Sequence, residues 1–267
     1  MAVIQDDLVL NDRYSRVLRD YINNLNRASR AARGGANSNR LYGNSAANAA
    51  RQTSGLVSTL RNLAGAFISI QGVKSLVSLS DEMASIRARL NMMNDGLQTT
   101  EELNQMIYES AQRSRGAYQE TANFVAQLGN LAGSAFSSTS EIVAFAEQIN
   151  KQITLSGASA SAASAAILQL TQGLSSGALR GEELNSVLEQ TPMIAQSIAD
   201  YLGVSTGEMR ELASEGALTA SVVKNAIFAA ADEINAKFEQ MPMTWAQVWT
   251  TMKNTAIQAL EPVLDAV

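Results

Sequence analysis

The 267-residue chain has no cysteine and no histidine, three prolines (Pro192, Pro242 and Pro262) and 5% aromatic residues. Without Cys there is no disulfide, thiol nucleophile or thiolate metal site. That absence fits a reducing compartment without requiring one. Without His the commonest general base and metal ligand near neutral pH are gone. Neither a Ser-His-Asp triad nor a His-ligated zinc site can be built here. No strand-length runs of Val, Ile, Thr, Tyr and Phe occur. Scarce Pro beside abundant Ala, Leu, Gln, Glu and Arg predicts an all-α chain. Hydrophobic residues make up 46%, but much of that is Ala. Thin, Ala-rich layers between helices are expected rather than a thick core. MAVIQDDLVL lacks the basic and apolar regions of a signal peptide. The longest apolar stretch, Leu63 to Leu79, is interrupted by Gln71 and Lys74 and sits at the short limit for spanning a bilayer.

Charge is unevenly placed. Residues 1–62 hold nine Arg against four Asp, while residues 63–267 hold eleven Lys or Arg against twenty-one acids, for a net −5. The basic arm predicts an acidic partner surface, with a solvated helix face as the bland reading. Over residues 3–33, Leu10, Tyr14, Val17, Leu18, Tyr21, Ile22 and Leu25 recur at helical spacing. Arg13, Arg16, Arg19, Arg27 and Arg30 lie mostly elsewhere and are the candidate partner-binding residues. Gly34-Gly35 breaks this helix, and residues 34–47 read as a flexible linker. No aromatics interleave with the arginines as on a single-strand platform, so no specific nucleic-acid recognition is expected.

A long helix is predicted from about Ala49 to Asn94, with Gly55, Gly65 and Gly72 as kinks or close contacts and Asn94-Asp95-Gly96 as its stop. Short helices follow. Thr99-x-x-Glu102, Ser138-x-x-Glu141 and Ser205-x-x-Glu208 carry the capping-box pattern. Tyr118 to Ala132 presents Phe124, Val125, Leu128 and Leu131 and ends at Gly133. Ser159 or Ser161 caps a helix through ASAASAA that ends near Gly173 to Gly177. Arg180 to Gln190 is short and built on Leu184, Val187 and Leu188. Pro192 restarts a helix that stops at Gly203. The helix opened by Ser205 ends at Glu215-Gly216. From Thr219 one helix runs to Met241-Pro242 with Val222, Val223, Ala226, Ile227, Ala230, Ile234 and Phe238 as its stripe. Thr244 opens the last, carrying Trp245, Val248, Trp249, Met252, Ile257 and Leu260. Three parts result: residues 1–47, a basic helix and linker; 48–96, the long helix with its apolar segment; and 97–267, an array of about eight short helices. No repeat period supports a solenoid, and the heptads are too irregular for a long uninterrupted coiled coil.

Few residues carry a chemical reading. Glu182 and Glu183 pair as carboxylates, but the first turn of a helix also favours acids. Arg180 beside them is placed to anchor a loop. Glu109-Ser110 matches the Glu-Ser pair of goose-type-like lytic transglycosylases. Their downstream Gly-Leu-Met-Gln element is missing, and a lone carboxylate is weak evidence. GNLAGSAFSS has no following Lys-Ser/Thr and no preceding strand, so it is no phosphate loop. No catalytic residue and no cofactor are expected.

The stretch Gly177 to Gln240, GALRGEELNSVLEQTPMIAQSIADYLGVSTGEMRELASEGALTASVVKNAIFAAADEINAKFEQ, resembles the tape measure domain of phage and prophage tail tape measure proteins. The likeness starts at LSDEMASIRARLNMMNDG (Leu79 to Gly96) and continues to Met241-Pro242-Met243-Thr244-Trp245. It implies motif or structural roles for Gly177, Leu179, Arg180, Gly181, Glu182, Glu183, Leu184, Pro192, Gly203, Glu215 and Gly216. It implies a structural tail protein, not an enzyme. Such a protein lies in the tube lumen, sets tail length, organises tube assembly with tail assembly chaperones and leaves with the DNA. The implied partners are the tail tube protein, those chaperones, tail tip or baseplate proteins and other copies. Transient membrane contact at ejection is implied for Leu63 to Leu79. At ~1.5 Å per helical residue this chain would span only about 400 Å unbroken, and it ends without a helix-stop signal, so an N-terminal piece of a longer protein is expected. Two other readings stay open: a membrane-active helical effector or pore former, and a muralytic module of a tail protein. Flexible and contractile tails are not separated.

Overall fold

The computed structural model describes residues 70–264. The expectations on residues 1–69, including the basic helix, the linker and most of the Leu63 to Leu79 segment, lie outside them. Among the described residues there are eleven α-helices, one 3-10 turn and no strand, so the fold is all-α. The helices are α1 (Ile70–Met93), α2 (Thr100–Arg113), α3 (Tyr118–Ala132), α4 (Thr139–Leu155), α5 (Ala160–Ser175), α6 (Gly181–Gln190), α7 (Pro192–Leu202), α8 (Thr206–Ser214), α9 (Ala220–Ala229), α10 (Ala231–Gln240) and α11 (Trp245–Leu264). Ser85–Ala259 packs as one unit.

Local signals start most of these helices. At α2, Thr99 Oγ1 accepts from the Glu102 amide at 3.1 Å while Glu102 Oε2 accepts from the Thr99 amide at 3.0 Å. Ser205 and Glu208 repeat this at α8. Both halves of a capping box are therefore closed, satisfying donors that the first turn leaves orphaned. At α4 only one half forms. Ser138 accepts from the Glu141 amide, but the Glu141 carboxylate is wholly buried and turns to Lys224 at 3.0 Å and to the Ser137 amide. Of the two Ser candidates for α5, Ser159 is the cap.

The core is organised around α4. Residues 141–149 are buried without a break, so α4 is enclosed on all sides rather than amphipathic. It packs against α2, α3, α7, α9 and α10. Phe145 lies at its centre, edge-on to Phe136 at 5.2 Å and Phe228 at 6.1 Å between ring centroids. Buried Ala111, Ala122, Ala126, Ala144 and Ala146 let the helices approach closely, as expected from composition. A single central helix surrounded by others differs from the thin layers anticipated.

An enclosed helix must pair its polar groups. Glu147 receives a fork from Arg113, with Nε at 3.0 Å and Nη2 at 2.8 Å from Oε2. Lys151 Nζ reaches Glu147 Oε1 and Asn235 Oδ1, both at 2.8 Å. One ionic cluster thus joins α2, α4 and α10. Nearby, Arg115 lies 4.5 Å over the Phe238 ring and donates to the Phe238 and Met241 carbonyls, holding the C-terminal end of α10.

Three expectations need correction. The helix drawn from Thr219 to Met241 is two, broken at Ala230, where the backbone stops α9 and restarts as α10. Asp232 and Glu233 occupy the first turn of α10, where the helix dipole favours acids. The break brings Ile234 and Phe238 inward beside α4. Ten helices therefore follow Gly96, not about eight. Leu131 does not continue the apolar face of α3: it is exposed, and Ala132, four residues after Leu128, takes the inward place.

Candidate interaction surface

Two regions of the unit carry features that ordinary packing does not account for. The first is a corner built by the family-like stretch. Gly177 leaves α5 at φ +91°, and the next residue forms an isolated antiparallel bridge, Ala178 with Thr219. The Leu179 amide donates to the Leu218 carbonyl at 2.8 Å, and the Ala220 amide to the Gly177 carbonyl at 2.9 Å. This pins the start of α6 to the start of α9. Leu179 is fully buried against α5, where a Cβ on Gly173 would meet its side chain at 2.6 Å.

Arg180 stands at the N-cap of α6 and makes no side-chain cap. Its guanidinium lies on Gly216, where a Cβ would be 2.8 Å from Nη2. Gly216 has φ +75°, which a side chain rarely adopts, so backbone conformation requires glycine there, while the guanidinium over it is the mobile end of a long side chain. Gly181, Glu182 and Glu183 form the first turn of α6, and Leu184 is buried beneath them. Glu215 is exposed at the end of α8. Gly177, Leu179, Arg180 and Gly216 thus share one corner. Pro192, at the first position of α7, and the left-handed Gly203, at its end, bound the next helix instead. Arg13, Arg16, Arg19, Arg27 and Arg30 lie outside the described residues. Glu109 is engaged by Gln105 at 3.0 Å and Arg113 at 3.6 Å, so it is a paired helix-surface carboxylate.

The second region is α11, and its amphipathicity is inverted. Thr244 and Gln247 close a capping box at its start. Its inner face is largely polar. The Asn254 side chain accepts from the Tyr118 amide at 2.9 Å and donates to the Gly116 carbonyl at 2.8 Å. Gln112 Nε2 donates to the Thr251 carbonyl and Thr255 Oγ1, and Gln258 donates to Gln105. Asn254 and Ile257 are buried. The outer face carries Trp245 at 89% exposure, Trp249 at 69% and Met252 at 58%, with Met243 beside them. These are the chain's two tryptophans. Sequence reasoning placed them on the helix without finding that they face outward.

Clefts elsewhere are shallow in chemistry. One of about 450 Å³ lies between α3 and α5, lined by Phe124, Ile153, Ala163, Ile167 and Leu168 among others. Among the described residues no group of three or more Asp and Glu is placed to hold a metal ion, and no helix is long and apolar enough to cross a membrane.

The family model described as tape measure protein matches residues 74–264, from within α1 to the end of α11. The chain belongs to the tape measure protein family. The family is a structural component of phage tails, and membership implies association with other tail proteins. Neither the curated proteins nor the solved structures contain a match.

Proposed function

We propose that this chain helps to set the length of a phage tail and to organise assembly of the tail tube, and that it leaves the tube lumen with the DNA at ejection. The family match over residues 74–264 carries this reading. The partners are the tail tube protein, tail assembly chaperones, tip or baseplate proteins and other copies of the chain. The work is division of labour along the sequence. Residues 1–47 are a basic arm whose Arg13, Arg16, Arg19, Arg27 and Arg30 meet an acidic protein surface. Residues 48–96 form a helical connection with an apolar segment that touches membrane transiently. Residues 97–267 are the tape-measure-type helical domain. Within it Gly177, Leu179, Arg180 and Gly216 hold the α5–α6–α9 corner, Leu184 anchors α6 from beneath, and Gly181, Glu182, Glu183, Pro192, Gly203 and Glu215 mark helix ends. The assembly reading is supported by large apolar side chains held outward on a hydrogen-bonded helix, since exposed apolar groups of this size mark partner surfaces.

The test is co-purification of the full chain with tail tube and chaperone proteins, read by light scattering. A stable complex with either supports the proposal. Failure to bind both, together with vesicle leakage or peptidoglycan release by the chain, would replace it with the membrane-active or muralytic reading.

A further inference from the structure

One short turn, residues 114–118, holds both sides of the joint between α10 and α11. Within it Arg115 has φ +57°, the only residue other than glycine in the left-handed region among the described residues. A side chain makes that conformation costly, so surrounding contacts have to hold it. They lie on α10: Arg115 Nη1 donates to the Met241 carbonyl at 2.8 Å and Nη2 to the Phe238 carbonyl at 3.3 Å. Just beyond Arg115, the Gly116 carbonyl and the Tyr118 amide engage Asn254, in the middle of α11. Between these two attachments the chain passes through Pro242, Met243 and Thr244, all exposed. Pro242 has no N–H with which to tie the joint down.

We propose that α11 is a strap: it undocks from α2 and from this turn while the rest of the unit stays folded, with residues 242–244 as the hinge and Asn254 as the latch. The balance of contacts supports this. What α11 gives up on undocking is mostly polar. The Asn254 side chain leaves a backbone amide and a backbone carbonyl. Thr255 leaves the Tyr108 hydroxyl and the Gln112 amide, the Thr251 carbonyl leaves Gln112, and Gln258 leaves Gln105. Water can take over each of these bonds, so each contributes little net. Among the described side chains of α11, Ile257 is the one buried apolar group and Val248 is half-buried. The outer face, with Trp245, Trp249 and Met252, meets water whether the helix is docked or not.

The helix before it is held differently. α10 is half as long, yet it buries Ala231, Ile234 and Phe238, and Arg115 stacks on the Phe238 ring at 4.5 Å. Apolar burial is the dominant contribution to docking, so the weak point lies between α10 and α11. The consequence is that Trp245, Trp249 and Met252 ride on a movable arm rather than on the body of the unit. The inference goes beyond the assembly reading. Undocking belongs to the chain alone and stands whether or not tail tube or chaperone proteins bind.

Hydrogen exchange of the full chain under native conditions, read by mass spectrometry across low urea concentrations, tests the strap. Undocked, α11 is a lone helix in water, whose hydrogen bonds open readily. Amides of Val248–Ala259 should exchange at least about tenfold faster than those of residues 142–149 in α4. Their exchange should depend little on urea, because undocking exposes little surface. Ile149→Val, in the core around α4, should speed exchange in α4 severalfold and leave α11 unchanged, since it weakens the docked and undocked states equally. Asn254→Ala should speed α11 and α4 by one common factor of about ten or more, because it weakens the docked state alone. Exchange of α11 at the rate and urea dependence of α4 overturns the proposal. So does acceleration of α11 by Ile149→Val, or an unchanged α11 in Asn254→Ala.

Discussion

Asp95 shows how one residue joins the chain's parts. Partial burial pushes its carboxyl pKa up, but hydrogen bonds from the Thr139 and Leu97 amides, the Thr139 hydroxyl and Gln98 outweigh this, and the pKa lies below the ordinary carboxylate value. The Thr139 amide donates to Asp95 Oδ2 at 2.8 Å, so a loop carboxylate occupies the positive end of α4. A carboxylate with a depressed folded pKa contributes fully above its unfolded value of about 3.9, and that contribution is lost as pH falls through the folded value. Asp95→Asn should lower stability near neutral pH by about 0.5–1 kcal/mol, the low half of the capping range because solvent screens the site. The gap should close as pH falls through the depressed folded value, below the ordinary carboxylate range, in acid titrations followed by circular dichroism. Glu147 is the buried counterpart. Glu147→Gln leaves Lys151 without its carboxylate and should cost about 3 kcal/mol or more in urea unfolding. Glu147→Met/Lys151→Met should lie closer to wild type than Glu147→Gln does. At the corner, Gly216→Ala should cost about 1–2 kcal/mol. Arg180→Ala in that background should recover only the part due to crowding, because the positive φ remains; a double-mutant cycle separates the two.

At the scale of helices, α11 is the element with two distinct faces. Asn254→Ala removes partners from the buried Tyr118 amide and the part-buried Gly116 carbonyl and should destabilise the monomer by about 1–3 kcal/mol. Trp249→Ser, despite removing a much larger side chain, should stay within about 0.5 kcal/mol in thermal or urea unfolding of the dilute chain. The contrast would show that the conspicuous residues of this helix do not hold the monomer together. It also marks where sequence reading works. Helix starts at Thr99, Ser205 and Thr244 are local, since the groups that close each cap lie within three residues, and they are legible. Ser138–Glu141 has the same pattern, yet Glu141 is drawn off by Lys224, eighty-three positions later. No local rule sees that. The Ala230 break was hidden because Ala229, Ala230 and Ala231 are all good helix formers; the acids at 232 and 233 were the available clue. The outward turn of Trp245 and Trp249 was missed because apolar spacing shows which residues share a face but not whether that face is covered. Likewise the stretch around Arg180 stood out as text, but its packing on Gly216 depends on the Ala178–Thr219 bridge between positions about forty residues apart.

At the scale of the molecule, a helical unit built around an enclosed, ion-paired α4 belongs to a family of tail components. A protein that acts as a ruler should act in proportion to its extent. The measurement that tests this most directly is tail length by electron microscopy, in tails assembled with in-frame shortened or lengthened versions of this chain. The account predicts tail lengths that rise and fall with chain length, by ~1.5 Å per residue where the chain is helical. Normal tails of unchanged length across such a series would contradict it.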